Sequence, residues 1–238
     1  MNVAGSAEAA AGYDNHQDIR DAVAKLCEGF PGEYWRKLDR EMAYPTEFVK
    51  ALTDSGYLSV LIPEEYGGAG LKLGAGAAIL EEIHRAGCNA GACHAQMYTM
   101  GTVLRHGNDT QKKQFLPRIA TGELRLQAFG VTEPSSGTDT TSLRTFARRE
   151  GDHYVVNGRK IWTTEAHFAD MMFCLARTER TERQQDGISF LLLDMRDPGM
   201  TVRPIPTLDS GHTVNEVFID QVKVASADLV GEAGKGWT

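Results

Sequence analysis

The sequence has no long apolar run, few cysteines and no excess of positive charge. Its longest apolar stretch, residues 188–193, is strand-sized and far shorter than the roughly 18 residues that cross a bilayer. The formal net charge is −7, from 25 Lys and Arg against 32 Asp and Glu. Duplex-binding proteins usually present a basic face instead. These absences argue against a membrane span and against nucleic-acid binding.

Four cysteines in 238 residues are too few for a disulfide scaffold. The first twelve residues are rich in alanine and lack the basic segment and apolar segment of a secretory signal. We therefore expect a cytoplasmic protein with reduced thiols. We also expect residues 1–13 to form a flexible tail.

The first half of the sequence is typical of helices. Apolar residues recur at spacings of three and four from Ile19 to Phe30, which indicates one amphipathic helix. A second begins at residues 44–46 and ends before Gly56. Further helices are predicted at about 75–86, 90–105 and 109–119. Pro117 is expected to break or bend the last one.

The second half is typical of short strands. They are predicted at residues 144–149, 153–156, 159–163, 171–176, 188–194, 201–205 and 215–224. Asn157-Gly158 is the strongest hairpin signal, because both residues accept positive φ. The predicted fold class is therefore α+β: an N-terminal all-α domain over 14–125, followed by an antiparallel β-barrel or sandwich over 126–238.

Several common site motifs are incomplete. Residues 74–79 lack the third glycine and the preceding strand of a dinucleotide fingerprint, and residues 231–236 have the wrong glycine spacing for a P-loop. No G-x-S-x-G elbow occurs. The set His84, Cys88, Cys93 and His94 matches no standard zinc spacing, so we predict no metal site and interpret the cysteines as packing residues.

One segment concentrates polar groups directly after an apolar stretch. Residues 129–139 combine hydroxyls, glycines and two acids, so they can present donors to a planar polar ligand. KIWTT at 160–164 adds an aromatic ring and two hydroxyls. The alternatives are an ordinary connecting loop and a tryptophan packed in the core.

Five segments together resemble the acyl-CoA dehydrogenase family of flavoenzymes. GVTEPSSGTD at 130–139 is similar to the family signature, and PEEYGG at 63–68 to its P-E-x-Y-G-G loop. KIWTT resembles K-x-W-I-T with Thr163 in place of Ile, and FIDQVKV at 218–224 resembles F-x-D-V-x-V-P with Ala225 in place of Pro. GEAGKGW at 231–237 matches the G-x-x-G-x-G hinge.

The resemblance implies a helical N-terminal domain, a middle β-barrel and a C-terminal four-helix bundle, with FAD between the last two. Thr132 is implied to bond the pyrimidine side of the flavin, Trp162 to pack against it, and Thr164 to donate near N5. Thr138 is implied to contact both FAD and the CoA pantetheine arm. The implied cofactor-binding residues are Phe129, Gly130, Val131, Thr132, Thr138, Trp162, Thr163 and Thr164.

The implied reaction is α,β-dehydrogenation of an acyl-CoA thioester, a step of fatty acid metabolism, with electrons passing to an electron-transferring flavoprotein. Such chemistry needs a carboxylate base for the weakly acidic α-proton. The resemblance implies that the base lies in the C-terminal bundle, in rare branches on another of the bundle's helices, so we nominate no catalytic residue in this chain. The bundle and most of the oligomer interface are expected on a longer or complementary chain.

Other functions stay open at this point. The chain could be an inactive module that binds flavin, acyl-CoA or a partner, or an oxidase or monooxygenase on the same fold. Helix residues 97–104 are expected to line the acyl cavity. The length and branching of the acyl group are not determined by the sequence.

Overall fold

The computed structural model describes residues 15–237, so the tail predicted for residues 1–13 lies outside the described residues. Six α-helices occupy the first half of this range. No helix within residues 15–237 is long and apolar enough to cross a membrane. The helices are α1 Gln17–Cys27, α2 Gly32–Glu41, α3 Thr46–Asp54, α4 Leu73–Arg85, α5 Gly91–His106 and α6 Asp109–Ala120.

The first core of the helical region follows the apolar periodicity. Helix α1 buries Val23 and Cys27, which are four residues apart, and α4 buries Ile79 and Ile83 at the same spacing. Side chains four apart share one face of a helix, so the two faces can pack together. The helices predicted from these stripes are confirmed.

Helix α2 was not predicted from the sequence, and its packing explains why. It buries none of its residues completely, and its apolar face is limited to the half-buried Tyr34, Trp35 and Leu38. Two aromatic rings hold it instead: Tyr34 lies edge-on to Phe30 at 5.1 Å, and Trp35 lies edge-on to Phe48 of α3 at 5.0 Å between ring centroids. Such contacts depend on tertiary structure.

Helix α6 continues through Pro117, so the helix is not broken there, and the alternative, a bend at Pro117, stays a prediction. Its N-terminus carries a capping box, in which Asn108 and Gln111 exchange side-chain to backbone hydrogen bonds. The Gln111 amide also donates to the backbone oxygens of Ala227 and Leu229, at 2.7 and 2.8 Å. These bonds fix the helix to the end of the β-region.

Within residues 15–237 the strands are β1 Leu126–Gly130, β2 Phe146–Glu150, β3 His153–Thr164, β4 Met171–Arg177, β5 Ile188–Asp194, β6 Met200–Pro204, β7 Val214–Ala225 and β8 Leu229–Val230. These eight strands form one sheet in the order β6-β7-β3-β2-β4-β5-β8, with β1 paired to β4. Most ladders are antiparallel, as predicted, whereas β1 and β2 both run parallel to β4. The predicted fold class is confirmed.

The hairpin predicted at Asn157-Gly158 is wrong, because β3 runs straight through it. The turn between β2 and β3 is Gly151-Asp152, where Gly151 has φ +63°. A Cβ at Gly158 would lie 2.6 Å from the Thr145 Cβ, and the ladder with β7 shifts register just before it. The glycine therefore permits a close approach beside a bulge.

Strand β4 separates two cores. Phe173 and Leu175 pack with the helices α5 and α6, whereas Met172 and Cys174 pack among the strands. Successive residues of a strand point to opposite faces, so one strand serves both cores. The helical region is consequently joined to the sheet along β1, β4 and β5.

Candidate functional site

A cavity of about 680 Å³ lies at this junction, between α5 and the sheet. Its floor is aromatic. Phe129 is edge-on to both Tyr98 and Phe173, at 5.6 and 4.1 Å between centroids, and Phe173 stacks on Phe190 at 4.8 Å. The residues lining it are Tyr98, Gly101, Thr102, Arg105, His106, Phe129, Val131, Thr140, Phe173, Leu175, Phe190, Val230, Gly231, Glu232, Lys235, Gly236 and Trp237.

The signature loop after β1 is held by a buried ion pair. Lys160 Nζ lies 2.8 Å from Glu133 Oε1 and also donates to the carbonyl oxygens of Val131 and Leu175. The other Glu133 oxygen accepts from the backbone N–H of Arg144 at 2.6 Å. These contacts connect the loop to β3 and β4.

The same contacts determine the charge of Glu133. Burial by itself would raise the pKa of this carboxyl. The Lys160 ammonium and the hydrogen bonds from Thr145 and Arg144 outweigh burial, so the pKa of Glu133 is lowered. Glu133 is therefore an ionised structural group, and both of its carboxylate oxygens already accept hydrogen bonds.

The end of β3 contacts this loop directly. Ile161 N–H donates to the Thr132 carbonyl at 2.9 Å, so the two segments singled out by the sequence lie side by side. The next residue, Trp162, has φ +59° and is 54% exposed. A bulky residue in this left-handed region is uncommon and requires support from its surroundings.

The predicted site residues fall into three groups. Phe129 and Val131 line the cavity, and Gly130 between them is buried against Met172. Thr132 lies on the loop, and Trp162, Thr163 and Thr164 lie at the end of β3, all outside the cavity lining. Thr138 lies on the exposed part of the loop, and Thr140, which was not predicted, lines the cavity instead.

The polar groups of these residues suit a planar polar ligand. Within residues 15–237, the hydroxyls of Thr132, Thr138 and Thr164 make no hydrogen bond, so each can donate to a ligand. Phe129 and Trp162 expose 39% and 54% of their surfaces. Hydroxyl donors and exposed aromatic rings are groups that can bind a planar polar ring. Thr163 differs, because its side chain is buried.

A second polar cluster, which sequence reasoning missed, lies behind the β3 end. His167 and His212 stack at 4.1 Å between centroids, and Asn215 contacts both imidazoles. Burial and then the nearby His212 lower the pKa of His167 to about 4. Burial raises the pKa of Glu165 to about 7. These residues come from separate segments, so no spacing pattern identifies them.

The four residues weighed as a zinc set are not arranged as ligands. Cys88 and Cys93 are buried in the helical core, where the Cys88 thiol faces the Phe30 carbonyl at 3.8 Å. His94 packs on Tyr98 at 4.9 Å between ring centroids. In the described part of the chain, no group of three His, Cys, Asp or Glu could hold a metal ion.

Comparison with known proteins identifies the class to which this fold and site belong. The model of the acyl-CoA dehydrogenase N-terminal domain matches residues 13–123, and the model of the middle domain of the same family matches residues 128–222. The chain belongs to the acyl-CoA dehydrogenase family and contains its N-terminal and middle domains.

Individual relatives agree with this assignment. The acyl-CoA dehydrogenase FadE29 of Mycobacterium tuberculosis is 41% identical over 190 residues, 79% of this chain and 48% of that protein. An acyl-CoA dehydrogenase structure from Geobacillus kaustophilus has a TM-score of 0.88 at 27% identity, over 96% of this chain and 61% of that one. The structure of the ChsE4-ChsE5 complex of Mycobacterium tuberculosis has a TM-score of 0.77 at 30% identity, over 100% of this chain and 59% of that one. The chain thus spans about half the length of the curated relatives it matches.

Proposed function

We propose that this chain is the N-terminal and middle part of an FAD-dependent acyl-CoA dehydrogenase, which oxidises the Cα–Cβ bond of an acyl-CoA thioester. One observation carries the proposal. The Ile161 to Thr132 hydrogen bond joins the two segments that the family resemblance assigns to the flavin, and the cavity opens beside them at Phe129 and Val131. Electron-transferring flavoprotein is the proposed electron acceptor.

The roles of the chain's own residues follow from their chemistry. Thr132 and Thr164 offer hydroxyl donors that orient a ring, and Trp162 offers an aromatic face. The aromatic floor of the cavity excludes water from an acyl group. FAD bound at these residues would supply the redox chemistry by accepting hydride from the β-carbon.

The reaction also needs a base that removes the proton from the α-carbon. Glu133 cannot serve, since Lys160 and two backbone N–H groups occupy its oxygens. Glu232 is the only acid among the residues lining the cavity as described, and it lies on the glycine-rich segment at its edge. The family resemblance places the base on a helix of the C-terminal bundle, whereas Glu232 lies outside every helix of the described residues, so we infer that the base comes from outside residues 15–237. A complementary chain carrying the helical bundle is the proposed partner.

We also infer that the protein is cytoplasmic. The support is chemical: Cys27, Cys88 and Cys93 in the helical core and Cys174 among the strands are all buried thiols outside any disulfide. Thiols of this kind persist in a reducing compartment.

The first test is flavin binding by the purified chain. FAD is titrated while flavin absorbance and fluorescence are recorded. Trp162→Ala removes an aromatic face that can stack on the flavin, and Thr132→Val removes an uncharged hydroxyl donor. Each contact is worth on the order of 1 kcal/mol, so each variant should bind FAD about tenfold more weakly. Thr110→Val, at an exposed position of α6, is the matched control and should bind as the unaltered chain does.

Addition of an acyl-CoA to the flavin-loaded chain then tests the second half of the proposal. Binding without bleaching of the flavin band is expected, since no base is nominated here. Bleaching by the chain alone would show that a base is present and that the inferred incompleteness is wrong. Failure to bind flavin, even with the complementary chain, would favour an inactive partner-binding module.

A further inference from the structure

Asn215 lies at the centre of the second polar cluster and is completely buried. Its amide nitrogen is 3.1 Å from the Thr163 carbonyl oxygen and 3.1 Å from His167 Nδ1. Its amide oxygen is 2.9 Å from His212 Nε2. One side chain on β7 therefore connects the end of β3 to two imidazoles.

The hydrogen-bond chemistry permits one arrangement of protons. A side-chain amide has two donors and one acceptor atom, and a carbonyl oxygen can only accept. The nitrogen of Asn215 must therefore face Thr163, and its second N–H must meet an unprotonated Nδ1 on His167. The oxygen then requires a proton on His212 Nε2. With these protons, all three contacts of the Asn215 amide are satisfied.

This network adjoins the most strained part of the site. Trp162 has φ +59° and Glu165 has φ +55°, so left-handed residues flank the pair Thr163-Thr164. The β3–β7 ladder breaks register between Lys160 and Thr163 and resumes where Thr163 pairs with Asn215. Beyond it, Glu165 N–H donates to the Thr213 carbonyl at 2.8 Å.

We propose that Asn215, with His167 and His212, is a positioning residue that fixes the β3 end so that Trp162 and Thr164 face the ligand side. Lys160 holds the strand before the bulge, and Asn215 holds it after the bulge. Without the second anchor, Trp162 can relax to an ordinary backbone conformation, and the ring and the Thr164 hydroxyl move together. The inference rests on the proposed flavin role of these two side chains.

Asn215→Ala removes all three contacts, and Asn157→Ala is its matched control. Asn157 bridges the same two strands further along the ladder, where its oxygen accepts from Gln221 Nε2 at 2.8 Å. Three measurements are made on each folded chain. They are the Trp162 indole peak in a ¹H–¹⁵N spectrum, amide hydrogen exchange at Glu165, and FAD affinity. The chain has three tryptophans, so Trp162→Phe assigns the peak.

In Asn215→Ala the Trp162 indole peak should shift, the Glu165 amide should exchange about tenfold faster, and FAD affinity should fall about tenfold. Asn157→Ala should change none of the three, whatever its melting temperature. Unaltered values in Asn215→Ala, or equal changes in both variants, would overturn the proposal. If Asn215→Ala does not fold, His212→Ala is used and should give smaller changes in the same direction, and unaltered values there overturn it equally.

The two proposals fail separately. If the unaltered chain binds no FAD, even with the complementary chain, the flavin role fails. The indole peak and the exchange rate are measured without flavin, so they still decide whether Asn215 fixes the β3 end.

Discussion

Lys160 and Glu133 form a completely buried ion pair, with 2.8 Å between Nζ and Oε1. Lys160 has no exposed surface, and its other two protons are used by the carbonyl oxygens of Val131 and Leu175. The lysine therefore fastens the signature loop to β4 with every donor satisfied. A buried charge pair is tolerated only when its remaining hydrogen-bonding groups are matched in this way.

Lys160→Met should lower the free energy of unfolding by about 3–5 kcal/mol, because it leaves the Glu133 carboxylate buried without its cation. Urea denaturation measures the change. The control is Lys50→Met, which removes an exposed pair with Asp54 and should cost less than about 1 kcal/mol. The double variant Lys160→Met, Glu133→Leu should recover part of the loss. Equal losses in the two lysine variants would contradict the buried pair.

Gly158→Ala should lower the free energy of unfolding by about 1–3 kcal/mol, the usual cost of overpacking. The added Cβ would lie 2.6 Å from the Thr145 Cβ, at the residue directly before β2, which pairs with β3. Gly137→Ala is the matched control, since a Cβ there meets nothing within 4 Å. A Thr145→Gly background should relieve the penalty at Gly158. If Gly158→Ala is neutral, the close approach of the two strands is wrong.

The sequence predicts those parts of the fold that depend on local pattern. Strand β5 is found at the predicted residues 188–194, and the start of α3 at Thr46 follows from its flanking signals. Helix α2 was missed because ring contacts with other segments stabilise it. Asn157-Gly158 was misinterpreted because the sequence alone does not distinguish a glycine needed for close packing from a glycine needed for a turn.

The candidate site likewise has residues that the sequence predicts and contacts that it does not. The residues carried by contiguous motifs, such as Phe129, Val131 and Trp162, were predicted from the sequence. Lys160 belonged to a quoted motif, yet its pairing with Glu133 depends on how β1, β3 and β4 meet. His167 and Asn215 are 48 positions apart and contact each other only because β3 and β7 pair. Such contacts cannot be read from spacing.

Glu165→Gln should remove a pH dependence of stability. The unfolded carboxyl titrates near 4.5, and burial raises the pKa in the folded chain to about 7. The folded state therefore binds more protons than the unfolded state between these pH values. The stability that protonated Glu165 contributes is complete below about pH 4.5 and is lost as the pH rises to about 7. Relative to the unaltered chain, the variant should gain stability across this window in urea titrations. Glu41→Gln, at an exposed position of α2, gives the background slope, and an identical slope for both would contradict the prediction.

His167→Gln should remove a dependence of opposite sign. Burial and His212 lower the pKa of His167 from 6.5 to about 4, so the unfolded state binds more protons between these values. Stability attributable to the neutral imidazole is complete above about pH 6.5 and is lost as the pH falls towards 4. The loss of stability on acidification should be smaller in the variant than in the unaltered chain. The exposed His84→Gln on α4 serves as control, and NMR titration of His167 measures its pKa directly.

Substitutions at Gly101 can change the cavity without unfolding the chain. It lies within α5 and lines the cavity, and a Cβ there meets nothing within 4 Å. Gly101→Ala should raise the free energy of unfolding by about 0.5–1 kcal/mol, since glycine is unfavourable inside a helix. Gly101→Leu should also fold, yet its side chain extends into the space proposed for the acyl-CoA.

Calorimetric titration with an acyl-CoA then decides whether this cavity is the substrate site. Gly101→Leu should weaken binding at least about tenfold, because a filled cavity cannot accept the acyl chain without repacking. Thr110→Leu, which adds the same side chain at an exposed position of α6, should leave binding unchanged. Unaltered affinity in a folded Gly101→Leu chain would place the acyl group elsewhere. That result would leave the aromatic floor of Tyr98, Phe129, Phe173 and Phe190 as a packing surface between helix and sheet.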